Sequence, residues 1–207
     1  MSSREAILKS IRTHLEASAP HDEPPSVFSL SPVSVLETPV VELFKQSLEA
    51  VNGHCIVVEN EDEMVQAVTR ILGDGEPRIA ISDAPLLNRL IGLQPYTGNI
   101  FDYDVGISTA QAAIAETGTL VLDSARERHR LVSLVPPVHI AIINAASIFQ
   151  TLAEALAFIH RNGDISPAVT FITGPSRTAD IELTLAIGVH GPQELFVIVN
   201  RGPSLSN

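Results

Sequence analysis

Two short polar turns hold the side chains best suited to chemistry in this sequence. The first lies in Ala113-Ile114-Ala115-Glu116-Thr117-Gly118-Thr119-Leu120-Val121-Leu122, where two apolar runs flank a small polar segment. A hairpin or a similarly sharp strand-to-strand turn is expected, with Gly118 free to take a positive φ and to let the backbone approach a ligand. Glu116, beside exposed N–H groups, could act as a general base or as an acyl-accepting nucleophile while neighbouring amides stabilise an oxyanion. The hydroxyls of Thr117 and Thr119 add donors at the same turn. The same residues also read as a plain turn with a solvated glutamate.

The second turn is Thr173-Gly174-Pro175-Ser176-Arg177-Thr178-Ala179-Asp180-Ile181-Glu182, which directly follows a predicted strand. In open α/β sheets ligands gather at the carboxyl ends of strands, and Gly174, Ser176, Arg177 and Thr178 offer donors suited to a carboxylate or phosphate. Arg177 can grip such an anion through two parallel hydrogen bonds. Asp180 and Glu182 stand about 200° apart around a helix, so a helix would not make them an acid/base pair. The alternative is structural: Asp180 caps a following helix and a surface carboxylate pins Arg177.

Histidine and cysteine add less. Pro136-Pro137-Val138-His139 forces an extended approach to a strand, which leaves His139 at its start, as a hydrogen-bonded structural histidine or a proton carrier near Glu116. His190 falls in the turn Gly188-Val189-His190-Gly191-Pro192. The 7 histidines include no pair four residues apart, so a metal site would need long-range convergence and none is assigned. A single cysteine, Cys55 in an apolar stretch, excludes an internal disulfide and falls short of the roughly four thiolates of an iron–sulfur cluster. Neither dinucleotide and P-loop glycine patterns nor a Gly-x-Ser-x-Gly elbow occur.

The elements that must position these turns alternate. Ser2-Ser3-Arg4-Glu5 matches a capping box, and Ile7, Leu8, Ile11 and Leu15 recur at helical spacing behind it. Residues 18–39 hold 5 of the 14 prolines, which marks a linker or extended arm. Two regions result, 1–39 with the amphipathic helix and arm, and 40–207 with the main domain. The first helix could dock on that domain or on another subunit, which leaves a homo-oligomer open.

From Val41 a helix is predicted to Asn52-Gly53, then a strand at His54–Val58 and a helix capped by Asn60. Another strand is expected at Arg78–Ser82, and a helix starting near Asp83 and Pro85. Later strands are expected at Gln111–Ala115, Leu120–Asp123, Val138–Ile143, Val169–Thr173 and Leu195–Val199, with a helix at Ser147–Arg161. This alternation predicts an α/β fold whose mainly parallel sheet is covered by helices on both faces.

Composition sets outer limits. The 207 residues are 45% hydrophobic and 18% charged, ordinary for one globular domain with an appendage. A formal charge of -11 repels phosphate backbones, and the basic cluster Arg126, Arg128, His129 and Arg130 is short, interrupted by Glu127 and without aromatic stacking partners, so no nucleic-acid partner is expected. No apolar run approaches the roughly 20 residues that cross a bilayer, and the first residues lack a secretory apolar core, which leads to a cytoplasmic expectation.

Four ordered segments, Ala115 to Thr119, Leu134 to Ile140, Gly174 to Glu182 and Gly188 to Pro192, together resemble the lactate utilization protein C family, the LUD domain, across most of residues 40–199. The resemblance implies a NagB/RpiA/CoA transferase-like fold and a part in oxidising L-lactate to pyruvate beside partner proteins that bear iron–sulfur clusters. With one cysteine, the chain itself is expected to bind no cofactor. In the leading reading Arg177, Ser176 and Thr178 hold a small carboxylate while Glu116 and the Gly118 turn complete the pocket. The alternative from the same fold group is a free-standing sugar-phosphate isomerase or CoA/acyl transferase, with Glu116 as base or nucleophile and Arg177 on phosphate or carboxylate.

Overall fold

In the computed structural model, which describes residues 3–17, 38–82, 87, 98–124, 130–161, 168–178, 186–187 and 191–202, the chain divides into two compact units, Met1–Glu37 and Thr38–Asn207. The first holds helix α1 (Ser3–Ala17), which exposes Ile7, Leu8 and Ile11. The predicted Pro-rich arm lies almost wholly outside the described residues.

The second unit contains helices α2 (Val40–Ala50), α3 (Glu61–Leu72) and α4 (Leu152–Arg161). Its strands are β1 (His54–Val58), β2 (Ile79–Ile81), β3 (Val105–Thr109), β4 (Ala112–Ile114), β5 (Thr119–Asp123), β6 (Val138–Asn144), β7 (Ile148–Phe149), β8 (Val169–Ile172), β9 (Arg177–Thr178), β10 (Ala186–Ile187) and β11 (Glu194–Asn200). Five of them make an all-parallel sheet in the order β1-β11-β6-β3-β2.

Near-continuous aliphatic runs explain that sheet, because parallel strands are buried on both faces. Alternate residues Val58, Ile81, Ile107, Ile140, Ile142 and Ile198 pack with Met64, Ala67 and Val68 of α3. Their neighbours Ala141, Ile143, Leu195, Val197 and Val199 turn the other way, onto Phe44 and Leu48 of α2. At the edge, the exposed Asp104 carboxylate accepts from the Arg78 backbone N–H at 2.9 Å and from its guanidinium, which ties β2 beside β3.

The structure departs from the predicted elements in three places. Strands β4, β5 and β8 leave the parallel array and form a second, mixed sheet in the order β7-β4-β5-β8. One face of it, with Ala113, Leu120 and Leu122, joins the core beneath α2, and the other, with Ala112, Ile114 and Val121, is covered by Ala155 and Phe158 of α4. Secondly, β3 lies where the sequence predicts no strand, because Gly106, Ser108 and Thr109 disguise its apolar alternation. Thirdly, the predicted helix at Ser147–Arg161 begins only at Leu152; its first part holds β7, parallel to β4. The local reason is a capping box: Thr151 Oγ1 accepts from the Glu154 N–H at 3.3 Å, and Glu154 Oε2 accepts from the Thr151 N–H at 3.0 Å. The helix predicted from Asp83 lies outside the described residues except for buried Leu87.

Candidate functional site

The Glu116 turn is the β4–β5 hairpin, closed by the pair Ile114 and Thr119. Gly118 has φ 65, and a Cβ there would lie 2.4 Å from the Leu48 nitrogen, so the glycine admits the backbone of α2 rather than a ligand. Glu116 Oε1 accepts from the Leu152 N–H at 3.3 Å, and the Glu116 N–H donates to the Gln150 carbonyl at 3.1 Å. Its carboxylate therefore sits over the first turn of α4, where unpaired N–H groups and the helix dipole favour negative charge.

Hydroxyls connect this hairpin to the second turn. Thr117 Oγ1 and Thr119 Oγ1 are 2.7 Å apart, and Thr119 Oγ1 and Thr173 Oγ1 are 2.6 Å apart. The connection exists because β5 pairs antiparallel with β8, which carries the start of one turn beside the end of the other.

At that second turn Gly174 has φ 80, and a Cβ would lie 2.7 Å from the Val51 carbonyl oxygen. The exposed Arg177 guanidinium donates to that same carbonyl. Val51 caps the C-terminus of α2, so a cation there complements the helix dipole and fastens the turn to the helix. The Ser176 N–H donates to the Pro192 carbonyl at 2.9 Å, joining this segment to the one just before β11. Thr178 lies on the two-residue strand β9, opposite Ala186. Asp180, Glu182 and His190 lie outside the described residues.

Between the Gly174 turn and the main sheet is a cavity of about 200 Å³, whose polar lining comprises Ser133, His139, Thr170, Thr173, Gly174 and Ser176. Leu134, Ile172, Pro192 and Leu195 supply apolar wall. His139 and Leu195 belong to the starts of β6 and β11, so the cavity opens at the amino ends of these parallel strands. The carboxyl-end rule does not reach the Gly174 turn, because β8 belongs to the mixed sheet. Of the sequence candidates, Gly174, Ser176 and His139 come together here, while Glu116, Thr117, Gly118, Thr119 and Arg177 stand outside the lining.

His139 is fully buried, with Nε2 2.8 Å from Ser108 Oγ and with Nδ1 lacking a hydrogen-bond partner among the described residues. Burial pushes its pKa down to about 3, so it is a neutral imidazole at physiological pH. Its hydrogen bond is to Ser108 rather than Glu116. The sequence gives no signal for Ser108, Ser133 and Thr170: isolated hydroxyl residues on strands and a short 3-10 turn carry no motif.

Cys55 is half-buried against the core, and burial pushes its thiol up to about 12. One such thiol does not fit an iron–sulfur cluster, and among the described residues no group of three or more His, Cys, Asp or Glu could hold a metal ion. Among those residues no helix is long and apolar enough to cross a membrane.

Residues 41–199 match the model of the LUD domain. Lactate utilization protein C of Geobacillus thermodenitrificans is 33% identical over 172 residues, covering 79% of this chain and 71% of the relative. The protein of the same name from Exiguobacterium is 34% identical over 188 residues, covering 79% of each. A crystal structure of a DUF162 family protein from Deinococcus radiodurans shares the fold, with TM-score 0.59 and 24% identity over 78% of this chain and 96% of that one.

Proposed function

This chain belongs to the LUD domain family, and from that premise we propose that it is a non-redox component of a lactate utilization system. In this reading it binds a small monocarboxylate while iron–sulfur partner proteins carry the electrons of L-lactate oxidation. The relatives' name supplies the system, and one observation supplies the ligand class: the cavity is small and every lining group is uncharged at neutral pH.

That lining discriminates between the ligands the two turns suggest. A phosphate carries close to two negative charges near pH 7, and burying it without a cation is strongly unfavourable. A single carboxylate can be held by hydroxyl and amide donors, whose bonds to an ionised acceptor are about twice as strong as neutral ones. A cavity of about 200 Å³ is also below the roughly 300–1,000 Å³ of sites for larger organic ligands, which disfavours sugar phosphates and acyl-CoA. Ser176 and the Gly174 turn supply donors, His139 supplies a neutral wall group, and Arg177 holds the turn in place through Val51.

The division of labour follows from electron counting. Oxidation of lactate to pyruvate releases two electrons and two protons. One cysteine provides neither a cluster's ligand set nor a dithiol/disulfide couple. Binding and presentation of substrate or product are the tasks its neutral cavity suits.

Removal of the gene should abolish growth on L-lactate as sole carbon source, and its return should restore it; growth indifferent to the deletion would overturn the reading. Calorimetry on the purified chain should register L-lactate or pyruvate and not ribose 5-phosphate. Turnover of sugar phosphates or acyl-CoA by the chain alone would replace it with a free-standing isomerase or transferase.

A further inference from the structure

We infer that Asn52 is a modification site gated by the fold: it loses its side-chain amide to the Gly53 nitrogen only when the C-terminal turn of α2 opens, and the product unseats the Gly174 turn. The inference concerns the frame of the cavity and holds whatever the cavity binds.

The chemistry is that of the pair Asn52-Gly53. The Gly53 backbone nitrogen gives up its proton and bonds to Asn52 Cγ, the Cγ–Nδ2 bond breaks, and the amide leaves with a proton as ammonia. A five-membered succinimide remains. Water then adds to one of its two carbonyls and opens the ring, to an aspartate or to an isoaspartate whose main chain runs through the side-chain carbon. Glycine in second place favours the attack, because no Cβ hinders its nitrogen.

The fold holds that nitrogen back. Helix α2 ends in a Schellman turn, in which the Gly53 N–H donates to the Leu48 carbonyl at 2.9 Å and the Asn52 N–H to the Glu49 carbonyl at 3.0 Å. Such a turn needs a left-handed residue, and Asn52 supplies it with φ 66, the one positive φ outside glycine among the described residues. Asn52 is exposed to water, whereas Gly53 is buried so tightly that a Cβ there would lie 2.5 Å from Leu48 Cδ1. The proton that must leave is the one the Leu48 carbonyl holds. Attack therefore waits on opening of the turn, a local event that costs less than global unfolding.

The consequence falls on the neighbouring carbonyl. Val51 O receives the Arg177 guanidinium and lies 2.7 Å from where a Gly174 Cβ would stand, and Gly174 in turn lines the cavity. An isoaspartate adds one carbon to the main chain between the two N–H groups of the Schellman turn, so their hydrogen bonds cannot both close. An aspartate keeps the backbone but sets a negative charge at a helix C-terminus, which disfavours one. Either product loosens the seat of the Gly174 turn.

The test ages the full chain in mildly alkaline buffer, with and without unfolding urea, and follows each site by mass spectrometry that separates aspartate from isoaspartate. Asn162-Gly163, the other Asn-Gly pair, serves as the reference in urea. There the two sites should convert at like rates, while in the native protein Asn52 should convert at least about tenfold more slowly than in urea, an opening free energy of about 1.4 kcal/mol. Arg177→Ala, which frees the Val51 carbonyl, should raise the native rate at Asn52 and leave the urea rate unchanged. Protein bearing isoaspartate at this position should melt several degrees lower and show shifted Gly174 and Ser176 amide resonances. Asn52→Gly, which accepts the same φ, should age without either change.

Native conversion at Asn52 as fast as in urea would overturn the gate. Conversion at Asn162 alone in urea would overturn the site, and an isoaspartate-bearing protein with native melting and native Gly174 amides would overturn its link to the cavity. None of these outcomes bears on whether the cavity takes a monocarboxylate, which calorimetry decides separately.

Discussion

A buried imidazole that stays neutral couples folding to acid. The unfolded chain protonates His139 near the ordinary value of 6.5, while in the folded chain burial holds the pKa at about 3. Its neutral-form stability is therefore complete above 6.5 and is lost progressively as pH falls toward 3, because the unfolded state binds the extra proton throughout that window. The slope approaches about 1.4 kcal/mol per pH unit for one proton. The exposed Asp104 carboxyl, held below its ordinary 3.8 by the Arg78 guanidinium, acts in a lower window and does not explain a loss above it. Urea unfolding at several pH values should show the decline beginning just below 6.5; a flat profile down to pH 4.5 would contradict the neutral buried ring. Cys55 gives a second residue-scale expectation. Its thiol, pushed up to about 12 by burial, is almost wholly protonated near neutral pH. Iodoacetamide should label it far more slowly in the native protein than in denaturant, and equally rapid labelling would show that the core around it opens freely.

At the scale of elements, the C-terminal end of α2 receives both polar turns, since Gly118 abuts Ser47 and Leu48, and Gly174 abuts Val51. Gly118→Ala would combine a positive φ of 65 with a Cβ 2.4 Å from the Leu48 nitrogen, strain that costs about 1–3 kcal/mol from the dihedral alone. Its melting temperature should fall by several degrees, and an unchanged value would mean that the hairpin can lift off the helix. Glu116→Gln tests the other side of the same hairpin: losing the charge over the first turn of α4 should lower stability by about 0.3–1 kcal/mol and leave monocarboxylate affinity in place. Lost affinity at unchanged stability would return Glu116 to the site. These two residues also show what the sequence could convey. The hairpin, the Asn60 cap and strand β1 were legible because their signals are local: a Glu-Thr-Gly-Thr break, an Asn three residues before Glu63, and an unbroken aliphatic run. The split into two sheets was not, because whether Val169–Ile172 pairs with β5 or joins the parallel array depends on partners far away in sequence. For the same reason the site was half legible. Ser176 and His139 stood in recognisable segments, while Ser108, Ser133 and Thr170 join them only through the fold.

For the whole molecule, the proposed part in lactate oxidation makes the route of two electrons the question. The chain's 24 acidic and 13 basic residues give it a charge of -11, which disfavours capture of anions at long range but suits docking to a partner with a basic face. Its sole thiol is half-buried and protonated near neutral pH, so thiolate chemistry is suppressed as well as stoichiometrically incomplete. In the proposed assembly the chain contributes through binding while clusters on partner proteins change oxidation state. Under the proposed function, mixing the purified chain with L-lactate should yield no pyruvate, whereas adding candidate iron–sulfur partner proteins should give lactate-dependent bleaching of their visible absorbance that fails when this chain is left out. Cys55→Ser should support the same rate, since a partly buried thiol that stays protonated has no electron or metal to hold. Loss of the rate in a folded Cys55→Ser protein would make the thiol a participant, and bleaching that proceeds equally well without the chain would remove it from the reaction altogether.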